Sequence, residues 1–384
     1  MSLVIANALV CDPGREYLSD VRIEGGLIRQ LGLNLTRGPN GDVIDAAGRA
    51  LLPGFIDVHI QGAGGRDLLD TSDEALATIS ETCTRYGVTG FLGTTVFHPG
   101  TGNSHLVRTV GQSEMGPVGA HFLGLHLEGP FISPRKRGMI HPDAICEPSA
   151  DVLGEVLERT GGKLRMMTIA PELPGSLEII GRLSKLGIVP SFGHSAATYE
   201  QTLRGIEAGI THATHLFNAM DSIHHRAPGP LPAIFESKGV SAQIISDGVH
   251  IVPPVVRLAA SLLGEDRCIL ITDGMRPLGL GDGNYVYDGR RYESKDGVAR
   301  YEDGTLIGTS LGISQLAARF RRFTDWPLSA IAKATSWNPA KALGLNDRKG
   351  RISPGYDADI VITDRDFSVW KTIVAGRIAF ESTG

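Results

Sequence analysis

The sequence predicts an α/β fold: a (β/α)8, TIM-like barrel with a small β-sandwich domain built from both chain ends. Three observations predict it. Between Pro53 and Leu345, eight short apolar runs alternate with helical stretches. Both ends of the chain read as strands and hairpins, without helical period. The residues that close the apolar runs are acidic or imidazole side chains, as at the C-terminal mouth of such a barrel.

The N-terminal part predicts a strand over Leu3–Cys11 and a turn at Asp12-Pro13-Gly14. Asp20–Glu24 alternates, Gly25-Gly26 turns, and Leu27–Leu31 returns, which is a hairpin signature. Val43-Ile44-Asp45 and Arg49–Leu52 follow as further strands. At the far end Gly350–Thr363 reads as turn then strand, and Val369–Val374, Gly376 and Arg377–Glu381 as a hairpin. The expected division is a sandwich of 1–52 plus 346–384 and a barrel of 53–345.

The eight barrel strands are expected at Phe55–Val58, Gly90–Thr94, Phe122–Leu127, Leu164–Ile169, Ile188–Phe192, Ile210–Ala213, Ala242–Ile245 and Cys268–Thr272. Helices are expected at Glu74–Tyr86, Asp151–Arg159, Leu177–Leu186, Tyr199–Ala208, Val255–Leu263, Ser314–Arg322 and Ser329–Ala342. Thr71-x-x-Glu74 and Thr198-x-x-Gln201 have capping-box spacing, and Gly87 and Gly209 are matching stops. A doubly wound open sheet is the rival fold. No G-x-G-x-x-G follows the first strand, which weakens its nucleotide-binding version.

Composition narrows the classes. At 384 residues the chain buries a full core, and 42% hydrophobic residues with a formal charge of −5 is a globular balance without the basic excess of a nucleic-acid binder. Cys11, Cys83, Cys146 and Cys268 form no C-x-x-C and read as reduced thiols of a cytoplasmic protein. The N-terminus has no signal-peptide pattern, and no apolar run reaches the roughly 18 residues of a membrane helix.

The strand ends carry the chemistry. Strand one ends at Asp57-Val-His59-Ile-Gln61 and strand three at His126-Leu-Glu128-Gly-Pro. Strand five delivers His194, strand six His212 and His215, strand seven Asp247 and His250, and strand eight Asp273. Six of the twelve histidines fall at these ends. Strands five and six are joined by one crossover, so His194 and His215 emerge on the same edge. Two imidazoles and one carboxylate make three ligands of a catalytic metal that keeps a position for water. Glu128, followed by Gly-Pro, suits the third. Asp273 suits either a ligand or the general base that moves a proton from an acidified water to a leaving amine.

The motifs resemble the N-acetylglucosamine-6-phosphate deacetylases of the amidohydrolase superfamily over nearly the whole chain. They are Pro53-Gly-Phe-Ile-Asp57-x-His59, His126-Leu-Glu-Gly-Pro-Phe131, Gly193-His194-Ser195, His215-Leu-Phe-Asn-Ala-Met220, Asp247-Gly-Val-His250, Thr272-Asp273-Gly-Met275 and Gly355-x-Asp357-Ala-Asp359. The first and last mark only the superfamily; His-Leu-Glu-Gly-Pro with His-Leu-Phe-Asn-Ala-Met is more specific. The resemblance implies a hydrolase that removes acetate from an N-acetyl amino-sugar 6-phosphate. It implies one divalent ion, expected to be zinc, on Glu128, His194 and His215, with Asp273 as base and then acid. It implies that His141 polarises the acetamide carbonyl. Backbone amides at Asn218 and Ala219, with His250 and with Arg226 reaching across a homodimer, would hold the sugar phosphate. Residue type alone leaves Arg226 a solvated loop charge and His141 a turn histidine.

Two departures stand out. His59-x-Gln61 replaces the His-x-His that holds a second metal in many amidohydrolases, so His59 and Gln61 are expected to support one ion without ligating a second. Arg276-Pro277 stands where the family has small residues, which reads either as a sugar pocket reshaped for a related N-acetyl sugar phosphate or as neutral drift in a loop. The rival activities are another amidohydrolase reaction, such as deacylation of a different N-acyl compound, deamination or cyclic-amide hydrolysis. A carboxylated lysine at the fourth strand's end would mark a two-metal ring opener, but Thr168-Ile-Ala-Pro-Glu172 has none.

Overall fold

The structure, a computed structural model, describes residues 2–36, 41–116 and 119–383. Eight parallel strands form the barrel sheet: β1 (Phe55–Ile60), β2 (Val88–Thr95), β3 (His121–Glu128), β4 (Leu164–Ile169), β5 (Val189–Phe192), β6 (His212–Ala213), β7 (Ser241–Ile244) and β8 (Cys268–Leu270). They pair in sequence order from β1 to β8. Among the described residues no ladder joins β8 back to β1; a single parallel bridge, Ile60 to Gly274, spans that seam. All eight strands coincide with the apolar runs of the sequence.

Alternate residues of β1 serve different neighbours, as the period of a strand requires. Ile56 and Val58 pack in one cluster with Leu92, Met166 and Ile269 and with Ala340 and Leu343 of the last helix. Asp57 and His59 instead meet buried polar partners, Thr272 and Gln243. The larger core joins Phe91, Leu127, Phe192 and Leu270 to the surrounding helices through Ile79, Val156, Ile180 and Phe320.

Helices Ala150–Arg159, Ser176–Lys185, Tyr199–Ala208, Pro253–Leu263 and Ile313–Thr324 lie where expected. Tyr199–Ala208 has the full capping box of Thr198 and Gln201 and stops at Gly209. The box expected at Thr71 does not form. Helix Ala75–Thr84 starts from Glu74 without a side-chain cap, and Gln112 of helix Ser104–Ser113 accepts the Leu76 N–H instead (2.9 Å). The expected helix 329–342 is broken. Leu328–Ala332 passes through a π turn, Lys333–Trp337, into Asn338–Ala342. Pro339 sits in the first turn of that last segment. It has no N–H for an i→i−4 bond, and the wider turn accommodates it.

The strands of both chain ends enter one sheet. Ala50–Pro53 pairs in parallel with Ser2–Asp12 and antiparallel with Ile360–Thr363. The Gly25-Gly26 hairpin sets Glu24 opposite Leu27, and Val369–Val374 pairs with Arg377–Glu381. Ile5, Val10, Val21, Ile28, Ile360 and Ile373 bury a separate core there. A second antiparallel sheet, absent from the sequence reading, occupies Gly283–Tyr287, Arg290–Lys295, Val298–Arg300 and Leu306–Thr309. It packs Tyr287, Tyr292 and Ile307 against Met139, Ile140 and Met275 at the barrel mouth.

The four cysteines are unpaired, and burial pushes the Cys11 thiol up to about 12. No helix among the described residues is long and apolar enough to cross a membrane. His105 is buried and donates through Nε2 to Val96 O (3.0 Å). Burial lowers its pKa from 6.5 to about 4. Between those values the unfolded chain holds the extra proton, so stability is complete above pH 6.5 and falls as pH drops toward 4. The slope is about 1.4 kcal/mol per pH unit. His105→Gln is expected to flatten that limb by one proton relative to wild type, measured by denaturant unfolding between pH 7 and 5.

Candidate active site

Glu128 closes β3, His194 follows β5 and His215 follows β6, so three strands of one sheet, with β4 between the first two, deliver the three groups to one point. Glu128 Oε1 lies 3.1 Å from His194 Nε2 and 3.1 Å from His215 Nε2, and the two imidazole nitrogens are 3.1 Å apart. All three residues are buried. His194 Nδ1 must carry its proton, because it faces the carbonyl of Lys136 (2.8 Å). Neutral His194 therefore turns the Nε2 lone pair toward a carboxylate oxygen, a repulsive arrangement that a cation between them reverses. His215 Nδ1 has no partner among the described residues. Two imidazoles and a carboxylate in this arrangement fit one divalent ion.

The backbone is unusual here. His194, His215, Ala219 and Asp273 all have positive φ, from +24° to +53°. Non-glycine residues adopt that region at a cost and cluster there at functional sites. Second contacts hold them. Glu172 accepts from Ser195 Oγ (2.6 Å) and from Ala196 N (2.7 Å), pinning the turn beside His194. Gln243 Oε1 accepts from His215 N (3.1 Å) and from His59 Nδ1 (2.9 Å). The Asp247 carboxylate meets His250 Nδ1 (2.6 Å) and accepts its backbone N–H (2.8 Å).

Asp273 Oδ1 stands 3.3 Å from His59 Nε2 and accepts from Gln61 Nε2 at 3.2 Å. Gln61 Nε2 also reaches Glu128 Oε2 (3.1 Å). Burial alone would depress the His59 imidazole, but Glu128 and Asp273 beside it raise it to about 9. Burial would likewise raise Glu128, yet the His59 imidazolium beside it holds its carboxyl well below the usual range. His126 bonds Thr168 Oγ1 (2.8 Å) and Val58 O (3.1 Å) and sets its ring edge-on to that of His59, with centroids 4.7 Å apart.

A cavity of about 200 Å³ opens on these residues. It is lined by Gln61, Glu128, His194, His215, Asn218, Ala219, His250 and Asp273, which the sequence had singled out. Gly138, Met139, Thr305, Leu306 and Ile307 complete it. His59 is fully buried behind it. Two expected residues lie outside. The His141 side chain is 48% exposed and bonds Asp143 (2.5 Å). Arg226 is exposed and meets His225 Nε2 (2.6 Å). The Asn218 N–H already donates to His215 O (2.9 Å), which leaves Ala219 as the amide of that pair for a ligand.

Arg276 does not line the cavity; its guanidinium is taken by Asp67 and Asp70. Sequence reading also missed Glu172 and Gln243. A glutamine inside the apolar run Ala242–Ile245 was the available signal for the second.

A parallel barrel with a buried His-His-carboxylate group at its C-terminal mouth defines the metal-dependent amidohydrolase class. Residues 50–379 match the Amidohydrolase family. An N-acetylglucosamine-6-phosphate deacetylase of Bacillus subtilis is 37% identical over 94% of this chain and 93% of its own. That of Lysinibacillus sphaericus is 35% identical over 100% and 99%. The crystal structure of the Thermotoga maritima enzyme of the same name superposes with a TM-score of 0.87 at 34% identity, over 99% of this chain and 100% of that one. The chain belongs to the N-acetylglucosamine-6-phosphate deacetylases of the amidohydrolase family.

Proposed function

We propose that this protein removes acetate from an N-acetyl amino-sugar 6-phosphate, with N-acetylglucosamine 6-phosphate as its substrate. The observation that carries the reading is the buried Glu128–His194–His215 group with Asp273 beside it, in a chain whose relatives bear that name. Glu128, His194 and His215 would hold a divalent ion, for which zinc is proposed from the N2O donor set; when bound, it would acidify a water and polarise the acyl carbonyl.

The chain's own groups do the rest. Asp273 takes the proton as water oxygen bonds to the acyl carbon. It returns that proton to the amine nitrogen as the C–N bond breaks. Gln61 holds Asp273 and Glu128 through one amide nitrogen. His141, whose side chain lies outside the cavity, has Nδ1 committed to Asp143, so Nε2 is the nitrogen that would turn to the acyl oxygen. The Ala219 amide and His250 hold the phosphate, together with Arg226 of the partner subunit in a homodimer. Unpaired thiols suit a reducing cytoplasm. Residues 1–52 with 346–384 are taken as the small domain and 53–345 as the catalytic one.

The test is acetate release from N-acetylglucosamine 6-phosphate, run beside its galactose epimer and the unphosphorylated sugar, with metal supplied. Turnover of the phosphorylated glucose compound, abolished by a chelator and restored by zinc, is the expected result. A metal-loaded protein that releases no acetate from any of the three overturns the reading.

A further inference from the structure

The geometry assigns Arg276 as a positioning residue for Asp273: it latches the loop after β8 to the loop after β1 across the one barrel seam that no ladder closes.

The seam is where the base must be fixed. Among the described residues β8 lacks a strand neighbour on that side; the segment carrying Asp273 is bonded to Thr309 of strand Leu306–Thr309 (Thr309 N to Asp273 O, 2.9 Å; Met275 N to Thr309 O, 2.8 Å) and to the β1 side only by discrete contacts. Below the site, Asp57 accepts from Thr272 Oγ1 (2.5 Å) and Thr272 N (3.3 Å). At the site, Asp273 N donates to His59 O (3.0 Å). Gln61 N and Gly62 N both donate to Gly274 O (2.8 and 2.9 Å). Above it stands Arg276. Its Nε and Nη2 reach Asp67 Oδ2 (3.1 and 2.6 Å), Nη2 reaches Asp70 Oδ1 (2.7 Å), and Nη1 reaches Gly65 O (3.4 Å). Gly65 N donates back to Arg276 O (2.9 Å).

The two loops are in direct backbone contact there. A Cβ on Gly62 would stand 2.4 Å from Arg66 O and 3.0 Å from Arg276 N. A planar guanidinium that bonds two carboxylates and a carbonyl fixes orientation as well as distance. Orientation matters at this place, because Asp273 sits at φ +47°, a conformation that persists only where its surroundings determine it. Asp67 is buried, and its pKa is raised to about 6 by that burial even with Arg276 beside it, so loss of the cation strips the latch of its counter-charge.

The turnover half of the test rests on the deacetylase reading; the exchange half does not. The metal-loaded enzyme is compared as wild type, Arg276→Met, Arg276→Lys and Asp70→Asn. Hydrogen exchange is followed at Gln61, Gly62 and Asp273, with bound metal, kcat and KM on N-acetylglucosamine 6-phosphate. In Arg276→Met those amides are expected to exchange at least about tenfold faster while metal content holds. kcat falls about 10–100-fold and KM stays within about threefold, as for a base misplaced by a fraction of an ångström. Lysine, which cannot bridge both acids in the same plane, recovers part of kcat. Asp70→Asn, which keeps the Asp67 pair, moves both readouts the same way by less, and it carries the test if Arg276→Met does not fold. Unchanged exchange at the seam overturns the latch. So does a kcat loss that tracks loss of metal or of protection throughout the barrel. A wild-type enzyme without acetate release defeats the functional reading and leaves exchange to decide the latch.

Discussion

Asp273→Asn is expected to lower kcat by about 10²–10⁴-fold while the protein still binds its metal. The substitution keeps the shape of the side chain and a hydrogen-bonding oxygen for Gln61. It removes the ability to accept a proton from water and deliver it to nitrogen. Asp273 stands outside the closest ligand group, Glu128, His194 and His215. The ion should therefore remain, and KM should change little because the phosphate contacts proposed at Ala219, His250 and Arg226 do not involve Asp273. Steady-state kinetics with metal analysis on the same sample read both quantities. Turnover near wild type would remove Asp273 from the chemistry. Loss of the ion in step with activity would make it a ligand.

The second large effect is expected at Glu128. Glu128→Gln keeps the volume but replaces the only anion among the described residues in contact with both His194 and His215. Changes to residues that merely orient metal ligands cost about 10–100-fold in affinity, and removal of a charged ligand should exceed that. The expected outcome is a fall from one bound ion per chain to nearly none after dialysis, with acetate release lost in parallel. The variant should also lose the metal-dependent stabilisation that wild type shows, since a ligand that binds only the folded state raises its stability. A variant that retains the ion at wild-type occupancy would place the carboxylate ligand elsewhere.

What the sequence made legible follows from the physics of each element. Barrel strands are short apolar runs closed by polar residues, so both the strands and the groups at their ends could be read. His194 and His215 needed only the direction of a parallel crossover. Side chains that act through contacts distant in sequence could not be read this way. Gln243 lies inside a strand, and its two partners are set only by the closed barrel. Arg276 looked like a pocket residue because it follows Asp273 by three positions, whereas Asp67 and Asp70 draw it away. Helix Ala75–Thr84 takes its N-terminal bond from Gln112 on another helix, so a local spacing rule misplaced its cap. The sheet over 283–309 escaped notice because it interrupts an otherwise regular βα rhythm.

The pairing of Ala50–Pro53 with Ile360–Thr363 also has a consequence for synthesis. The early strand leaves the ribosome roughly three hundred residues before its partner does. At about 5–20 residues per second, that delay is on the order of tens of seconds. Throughout it one edge of the first-made strands is open and able to pair with another chain. Stalled nascent chains ending before Ile360 are therefore expected to be cut by protease within the first fifty residues, and chains extending past Thr363 to resist. The small sheet closes last, and its closure marks a finished molecule.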